Sequence, residues 1–543
     1  MTLDDLVLGL QHLLDRLVRR MRLGRAPEAG GRRLLIVQID GLSQGALEQA
    51  LAAGFMPFLK RLLAKGTLTM QPMAVGLPTS TPAFQMAAMY GVQPDIPGFH
   101  YHDKRRREDV HFPRAGDAAF VEEHQAAGRV GIVTGSSTYG CVFTGGALNN
   151  LFSFAQIKRP SGRGILRMLS ALFVLLWVVV KSLVFSVYEL VRALLRFIAD
   201  PVGESRRGWK WLAIKIGISV WLRELFTLAV SRDLYMGVPA VYVNYLDYDV
   251  IAHVYGPRHR RALRSLHHVD RSLHQLWRVC RRVPGYGYDL HVLSDHGQAH
   301  CTPYIELMGG TPIERRLFDE FFDPAHAGEA PTRRRRRPLA SAMTAFRSGH
   351  APGVLQRFIN YLDDPGDPGE MKEARERNGV RVIAAGPNAF VYFVDDPQPL
   401  LLDQIEERFP GLAQDLSRSC GIGLVLARAS EGPVCFWRGK RYGLDELAAG
   451  PFAGREDPDI VRDGIRDLMA MPSAGDLVLY GLDSAEGNVS FIAETGAHAG
   501  TTFDELHTFI IAPRGVRLPE AIVHPLQLYP HFVQYQGARR TSA

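Results

Sequence analysis

The chain has 543 residues, of which 46% are hydrophobic and 22% charged, a composition that is ordinary for a globular protein with a sizeable core. Its five cysteines are scattered and form no CxxC pair, which argues against a disulfide framework or a thiolate zinc site and favours a reducing compartment. The net charge of +7 suits anionic partners, whether phosphate esters, lipid headgroups or nucleic acid. No specific nucleic-acid binding is predicted.

The first 23 residues carry acids early and arginines late, with leucines at helical spacing. They lack the uncharged apolar core of a secretory signal, so we predict a basic amphipathic helix there. That helix either packs on the body of the protein or lies on a membrane surface. With the cysteine usage, this favours the cytoplasmic side of a membrane.

Apolar runs and helical patterns follow one another along the rest of the chain. Leu34–Ile39 is apolar on both faces and precedes a helical pattern, which is typical of a central parallel strand. The same reasoning predicts strands at 129–135, 238–246, 290–293, 476–480 and 507–511, a hairpin at 380–395, and helices at 85–90, 258–282 and 460–469. Residues 310–380 are looser, and the arginines 333–337 within them form either a solvated loop or an anion-binding one.

An apolar segment, Ile165–Ile198, interrupts this pattern and is followed by a second one, Trp209–Val230. At 100° per residue, all the charges of the first segment fall within an arc of about 80°. They are Arg167, Lys181, Glu189, Arg192 and Arg196. The longest uncharged run is only about 13 residues, too short for a membrane span. We therefore predict a helical hairpin that inserts into a membrane, lies on it, or pairs with a second subunit as a homodimer; a buried cap is the alternative.

Residues able to bind metal follow several of the predicted strands. Asp40 directly follows the first strand, at the end where ligands bind in open α/β sheets, although it could instead cap a helix. Asp249 and His253 lie four residues apart, which on a helix sets them on one face. Asp295 and His296 follow the strand at 290–293. His498 lies in a glycine-flanked loop before the last strand.

Hydroxyl side chains at 79–81 precede a predicted helix. They could be simple N-caps, but the start of a helix also binds anions, and a hydroxyl there could attack phosphorus if a metal lowers its pKa. Carboxylates, imidazoles and a hydroxyl together would furnish two zinc-like sites and an activated nucleophile.

Five motifs in this order resemble the alkaline phosphatase superfamily, in its type I phosphodiesterase/nucleotide pyrophosphatase branch. The motifs are Ile39-Asp40-Gly41, Pro78-Thr79-Ser80-Thr81, Asp249 to Pro257, Asp295-His296-Gly297, and Gly496 to Gly500. The resemblance implies a three-layer α/β sandwich around a mostly parallel sheet, here with an apolar helical insertion. It divides the chain into an N-terminal segment (1–32), two catalytic parts (33–160 and 233–543) around the insertion (161–232), and a cap-like region at about 305–380.

The resemblance also implies roles for these residues. Thr81 would be the nucleophile, with Ser80 as the alternative. One divalent metal ion, expected to be Zn²⁺, would be held by Asp249, His253 and His498. The other would be held by Asp40, Asp295, His296 and Thr81.

Ala252 replaces a glycine in the third motif. Two further departures from the family pattern bear on the substrate. His102, with His100 nearby, stands where relatives have a phosphate-binding asparagine, and the apolar insertion between Asn150 and Asp233 matches no pattern of the soluble members. These histidines are the predicted substrate-binding residues. The expected activity is two-metal phosphoester hydrolysis through a phospho-threonine, favouring diesters of nucleotide or lipid-linked type. The alternatives are a phosphomonoesterase, a phospho-group transferase, or a non-catalytic membrane-associated scaffold.

Overall fold

The computed structural model describes residues 31–112, 114–151, 179–194, 216–322, 376–482 and 484–537. The predicted N-terminal amphipathic helix and the arginine run 333–337 lie outside these residues. So do much of the apolar insertion, including Arg167 and Arg196, and much of the looser region at 310–380.

Two seven-stranded sheets, three two-stranded ones and the helices around them make up the described fold. The described strands are β1 Arg33–Ile39, β2 Leu68–Ala74, β3 His100–Asp103, β4 Glu108–His111, β5 Ser137–Tyr139, β6 Asn149–Leu151, β7 Ala240–Tyr245, β8 Tyr288–Leu293, β9 Ala299–His300, β10 Thr302–Pro303, β11 Glu376–Arg377, β12 Val380–Ala384, β13 Asn388–Phe393, β14 Leu424–Ala429, β15 Gly432–Trp437, β16 Lys440–Gly443, β17 Leu477–Tyr480, β18 Val489–Ser490, β19 Gly496–Ala497 and β20 His507–Pro513.

The described α-helices are α1 Gln44–Ala52, α2 Pro57–Ala64, α3 Thr81–Tyr90, α4 Ala115–Gln125, α5 179–194, α6 Arg223–Met236, α7 Asp247–Tyr255, α8 Arg260–Arg282, α9 Tyr304–Leu307, α10 Ile313–Leu317, α11 Leu402–Arg408, α12 Leu412–Leu416, α13 Pro458–Ala470, α14 Phe503–Leu506 and α15 Leu528–Gly537. A π-helical turn, Gly217–Leu222, leads directly into α6.

The central sheet has seven strands in the order β2-β20-β8-β1-β7-β5-β6. β1 pairs in parallel with both β7 and β8, and β5 pairs in parallel with β6 and β7, whereas β20 runs antiparallel to β2 and β8. The sequence prediction of an α/β fold with a central, mostly parallel sheet is therefore confirmed. The sheet takes strands from both sides of the apolar insertion.

Helices cover both faces of this sheet, because its strands are apolar on both sides. In β1, Leu35 and Val37 pack with α1, α2, α6 and α8, whereas Leu34 and Ile36 pack with α3 and α15. The sequence of β1 thus predicts its place correctly, since a strand with one solvated face would alternate apolar and polar residues.

An antiparallel sheet in the order β11-β12-β13-β17-β14-β15-β16 lies beside the second of these cores. Phe390 and Tyr392 of β13 pack into the core that contains α3, while Val391 and Phe393 pack with α10, α11 and α12 on the far side. The predicted hairpin at 380–395 is β12 and β13, but the sequence did not indicate the whole sheet.

The predicted strand at 129–135 is wrong. This segment turns, with Thr134 donating its N–H to the carbonyl of Gly131, and strands β5 and β6 follow it instead. Ile132 and Val133 are buried, which explains the apolar pattern. Gly131 lies against the carbonyl of Gly145, where an added Cβ would come within 2.0 Å of the oxygen, so the glycine-rich loop folds back on the run and prevents strand pairing there.

The described part of the apolar insertion is helical, as predicted. α5 runs antiparallel to the π-turn and the start of α6, since Lys181 pairs with Glu224 (Nζ–Oε2 2.6 Å) and Trp221 donates from Nε1 to Ser186 Oγ (3.0 Å). Among the helices that the structure describes, none combines the length and apolarity needed to cross a membrane.

Candidate active site

One edge of the central sheet brings the predicted site segments together. The parallel strands β1, β7 and β8 end at this edge, and Asp40, helix α7 and the pair Asp295 and His296 follow them. β20 runs in the opposite direction, so the loop before it, which carries His498, reaches the same edge. Segments far apart in sequence thus meet because of strand direction alone.

Asp40, Asp295, His296 and Thr81 form a group that we call the acidic half of the site. The ligand atoms of Asp40, Asp295 and His296 all lie within 4.8 Å of one another. The Nε2 atom of His296 is 3.6 Å from Asp40 Oδ1 and 3.4 Å from Asp295 Oδ2. Thr81 Oγ1 lies 3.2 Å from the same Nε2 and donates to Asp40 Oδ1 at 3.4 Å. All four residues are buried.

Asp249, His253 and His498 form the second group, which we call the imidazole half. As predicted, α7 sets Asp249 and His253 one turn apart, with His253 Nε2 3.2 Å from Asp249 Oδ2. The His498 ring stacks on His296 at a centroid distance of 3.8 Å, and the ligand atoms of Asp249, His296 and His498 lie within 4.8 Å of one another. His296 therefore lies between the two halves.

The electrostatics of the acidic half fit a bound cation. Burial, together with the charges of Asp295 and Asp249, raises the pKa of Asp40 well above its ordinary value. Burial also raises the pKa of Asp295 to about 7. Asp295 Oδ2 is buried and has no hydrogen-bond partner among the described residues. Two buried carboxylates with an unsatisfied oxygen are the donor set that a divalent cation would neutralise.

Two of the imidazoles are in the state that metal binding requires. Burial lowers the pKa of His296 to about 4 and that of His498 to about 3. Both rings are therefore neutral near pH 7 and keep a lone pair for a metal.

The imidazole half is balanced by charge within the protein itself. Burial alone would raise the pKa of Asp249, but the neighbouring His253 outweighs it and lowers that pKa. For His253, burial favours the neutral form, yet Asp249 and Glu494 hold its pKa well above the ordinary value. A cation entering this half would have to displace the His253 proton.

Three further residues, which the sequence analysis missed, hold the predicted ligands. Glu494 Oε2 lies 2.8 Å from Nδ1 of His253. Asn244 donates from Nδ2 to Asp40 Oδ2, and Gln298 from Nε2 to Asp249 Oδ1, both at 2.5 Å. Asn244 could have been noticed as a polar residue near the end of an apolar strand. The other two carry no signal in the sequence.

The two candidate nucleophiles differ in their contacts. Thr81 is the first residue of α3, and its hydroxyl contacts Asp40 and His296. Ser80 is the N-cap residue, but its buried Oγ has no hydrogen-bond partner among the described residues. Thr79 accepts from Ala499 N (3.0 Å) and donates to Gly500 O (3.1 Å), so it ties this loop to the His498 loop.

Two glycines of the site are required by close approach. Gly41 has φ +70°, and an added Cβ would lie 2.4 Å from Asp249 Oδ1. A Cβ on Gly496 would lie 2.2 Å from the carbonyl oxygen of Ala252. A larger residue at position 41 would displace the Asp249 carboxylate, and one at position 496 would push against the backbone of α7, which carries Asp249 and His253.

The predicted substrate-binding histidines form a cluster on the β3–β4 hairpin. His102 Nδ1 lies 2.9 Å from Asp109 Oδ1, and His100 Nε2 lies 3.7 Å from Oδ2 of the same residue. Arg381 also pairs with Asp109. Burial opposes ionisation of Asp109, but these three partners outweigh it and lower its pKa. Substrate binding by the histidines stays a prediction.

Comparisons with known proteins find similarity in structure only. No family model matches the chain, and no curated protein matches it. Phosphonoacetate hydrolase from Sinorhizobium meliloti 1021, in complex with phosphonoformate, is similar over 95% of this chain and 97% of its own, at 15% identity and a TM-score of 0.46. Murine ectonucleotide pyrophosphatase/phosphodiesterase 5 is similar over 93% of this chain and 95% of its own, at 12% identity and a TM-score of 0.48.

Proposed function

We propose that the chain is a divalent-metal-dependent phosphoester hydrolase that acts through a covalent phosphate on Thr81. The observation that carries this proposal is the acidic half of the site, where Thr81 Oγ1 lies beside Asp40 and His296 and next to the unsatisfied oxygen of Asp295. The resemblance of the Pro78–Thr81 motif to phosphodiesterases favours diesters as substrates. The proposed substrates are diesters of the lipid-linked or the nucleotide type.

We propose two metal ions, both Zn²⁺: Asp40, Asp295 and His296 would hold one, with Thr81 beside it, and Asp249, His253 and His498 would hold the other. In the structure the ligand atoms within 4.8 Å of one another in the second group are those of Asp249, His498 and His296, so His253 would have to move closer to take part. When bound, such ions would supply Lewis acidity, which lowers the pKa of a nearby hydroxyl and neutralises charge on phosphoryl oxygens.

The protein's own residues then carry the reaction. Asp40 Oδ1 accepts the hydrogen bond of the Thr81 hydroxyl and fixes the direction of its lone pairs. The Thr81 hydroxyl loses its proton to solvent and its oxygen forms a bond to phosphorus as the bond to the leaving oxygen breaks. The leaving oxygen takes up a proton and departs as the first alcohol, and Thr81 then carries the phosphoryl group with its second ester group still attached. Water attacks the same phosphorus, the bond to Thr81 breaks, and a phosphomonoester is released as the Thr81 hydroxyl regains its proton. The first turn of α3 presents backbone N–H groups to a non-bridging oxygen.

Comparing Thr81→Ala with Ser80→Ala tests the proposal. We expect the first variant to lose hydrolysis of bis-(p-nitrophenyl) phosphate by about a thousandfold or more, and the second to change it by about tenfold or less. Mass spectrometry of enzyme that is acid-quenched during turnover of this diester should find a p-nitrophenyl phosphate group on residue 81 of the wild-type protein. Equal activity in Thr81→Ala, or the same group on Ser80 instead, would refute the assignment. Activity on p-nitrophenyl phosphate alone would show a monoesterase.

A further inference from the structure

Helix α5 has its polar side turned inward. Lys181 and Ser186 contact the start of α6 and the π-turn before it, and Glu189 is buried. The opposite side of the helix is apolar and faces solvent. Between 50% and 63% of the surface of each of its six central side chains is exposed, namely Leu183, Val184, Val187, Leu190, Val191 and Leu194. A contiguous apolar face of this kind marks an interaction surface.

A cationic cavity of about 840 Å³ adjoins this apolar face, between α5, the start of α6 and α8. Among the described residues that line it are one acid, Glu189, and five arginines, Arg192, Arg223, Arg261, Arg264 and Arg271. The last three follow one another at helical spacing along one exposed face of α8. Asp247 and Glu224 pair with Arg223, and Glu189 pairs with Arg192, so among the described residues the excess of positive charge belongs to Arg264 and Arg271 of α8.

The same cavity has an apolar wall. Val184 and Phe185 of α5 contribute to it, together with Ile251 and Tyr255 of α7. Tyr255 is stacked by the Arg261 guanidinium, at 4.8 Å from its ring centroid. A ligand matched to this lining would have an anionic head and an apolar body, and it would extend onto the exposed face of α5.

The geometry points to a second binding site, separate from the metal centre, for anionic phospholipid at a membrane surface. The arginines of α8 bind the phosphate headgroups, and the apolar face of α5 lies among the acyl chains. The cluster of arginines is complementary to the anionic headgroup layer of such a membrane surface, and the exposed apolar face is complementary to the acyl chains beneath it. A neutral protein partner would offer no counter-charge to Arg264 and Arg271.

This site also has a geometric relation to the metal centre. Ile251 and Tyr255 face the cavity, whereas Asp249 and His253, on the same helix α7, belong to the metal centre. Docking on phospholipid would therefore hold the active-site edge of the sheet about one helix diameter, roughly 10 Å, from the lipid site.

Vesicle co-sedimentation of the full chain tests the proposal. The protein should bind vesicles of phosphatidylcholine with phosphatidylglycerol at low salt, bind phosphatidylcholine alone much less, and release at about 0.5 M salt. Arg264→Glu with Arg271→Glu should weaken binding about tenfold or more. Lys440→Glu with Arg441→Glu, the same charge change on exposed residues of the second sheet, is the matched control and should bind as the wild type does.

The apolar face is tested separately. Val187→Gln with Leu190→Gln should reduce binding while leaving hydrolysis of bis-(p-nitrophenyl) phosphate and the circular dichroism spectrum unchanged, because both residues are exposed and outside the active site. No binding of the wild type to anionic vesicles would overturn the proposal. Binding of the arginine variant equal to that of the wild type would do the same. Competition by millimolar glycerol phosphate would show a site for a free phosphate ester, and a dimer that Val187→Gln dissociates would show a second copy of the chain on this face; either result would overturn the proposal.

Discussion

The two halves of the active site reach charge balance in different ways. In the acidic half, Asp40 and Asp295 repel each other in a buried setting, and burial holds the pKa of Asp295 near 7. In the imidazole half, His253 faces Asp249 and Glu494, and the pKa of Asp249 is lowered instead. Without a bound cation, the buried charges of the acidic half therefore lower the stability of the fold, whereas the charges of the imidazole half compensate one another.

This difference separates two uses of a carboxylate. A carboxylate that already has a protein cation stabilises the fold, but it must exchange that partner for a metal ion. A carboxylate without such a partner destabilises the metal-free fold and gains more when metal binds. We therefore expect the metal ion of the acidic half to contribute more to stability, and that of the imidazole half to depend more on pH.

The largest expected effect comes from removing one carboxylate charge in each half. Asp295→Asn and Asp249→Asn should both lower phosphodiesterase activity by about a thousandfold or more, because each loses a ligand. In the metal-free protein at pH 8 their effects on the free energy of unfolding should be opposite in sign. Asp295→Asn should stabilise by about 1–3 kcal/mol and Asp249→Asn should destabilise by a similar amount. Urea unfolding in chelator measures both.

The sign for Asp295 follows from proton binding. Its pKa is near 7 in the folded state against an ordinary value of 3.8, so the folded state binds more protons between these values. Stability therefore falls as the pH rises through this window, and the penalty is complete above pH 7. The advantage of Asp295→Asn should shrink as the pH falls from 8 to 5. Asp403→Asn, at an exposed position in α11, is the control. A difference in the free energy of unfolding between Asp295→Asn and the wild type that does not change with pH would refute this account.

An intermediate effect is expected for Glu494, which positions His253 from outside the ligand set. Glu494→Gln should lower the affinity for one of two metal ions by about 10- to 100-fold, because the Nδ1 atom of His253 loses its carboxylate partner and keeps only the carbonyl of Gly496. Metal analysis after dialysis against a weak chelator should find one ion where the wild type retains two, and added metal should restore activity.

Ser490→Ala provides the matched control for Glu494. Ser490 donates its hydroxyl to Glu494 Oε1 at 2.8 Å, so the substitution removes a contact of Glu494 while leaving its carboxylate beside His253. It should retain both ions. Loss of both ions in Glu494→Gln would mean that the two halves do not bind metal independently.

How far the sequence predicts this site depends on the kind of residue. Asp40, Asp295 and His296 could be predicted because they directly follow apolar strands, and strand direction then brings them together. The role of Glu494 could not, because it depends on how the loop before β20 packs against α7. Likewise, the helical pattern of 165–198 predicts an amphipathic helix but not that its charged side faces the protein. The run at 129–135 misleads because buried turns are as apolar as strands.

The smallest expected effect concerns the two amides that hold one carboxylate in each half. Asn244 lowers the pKa of Asp40 through its hydrogen bond, so Asn244→Ala should raise that pKa further and let protons compete better with metal. We expect the pH midpoint of metal binding to rise by about half a unit to one unit, with activity at high pH changed by about threefold or less. Gln298→Ala should shift the pH midpoint of metal binding less, since His253 already lowers the pKa of Asp249. The pKa of a carboxylate should depend strongly on one amide only where no protein cation stabilises its charge, as at Asp40. Equal shifts in the two variants would therefore mean that the halves do not differ in charge balance.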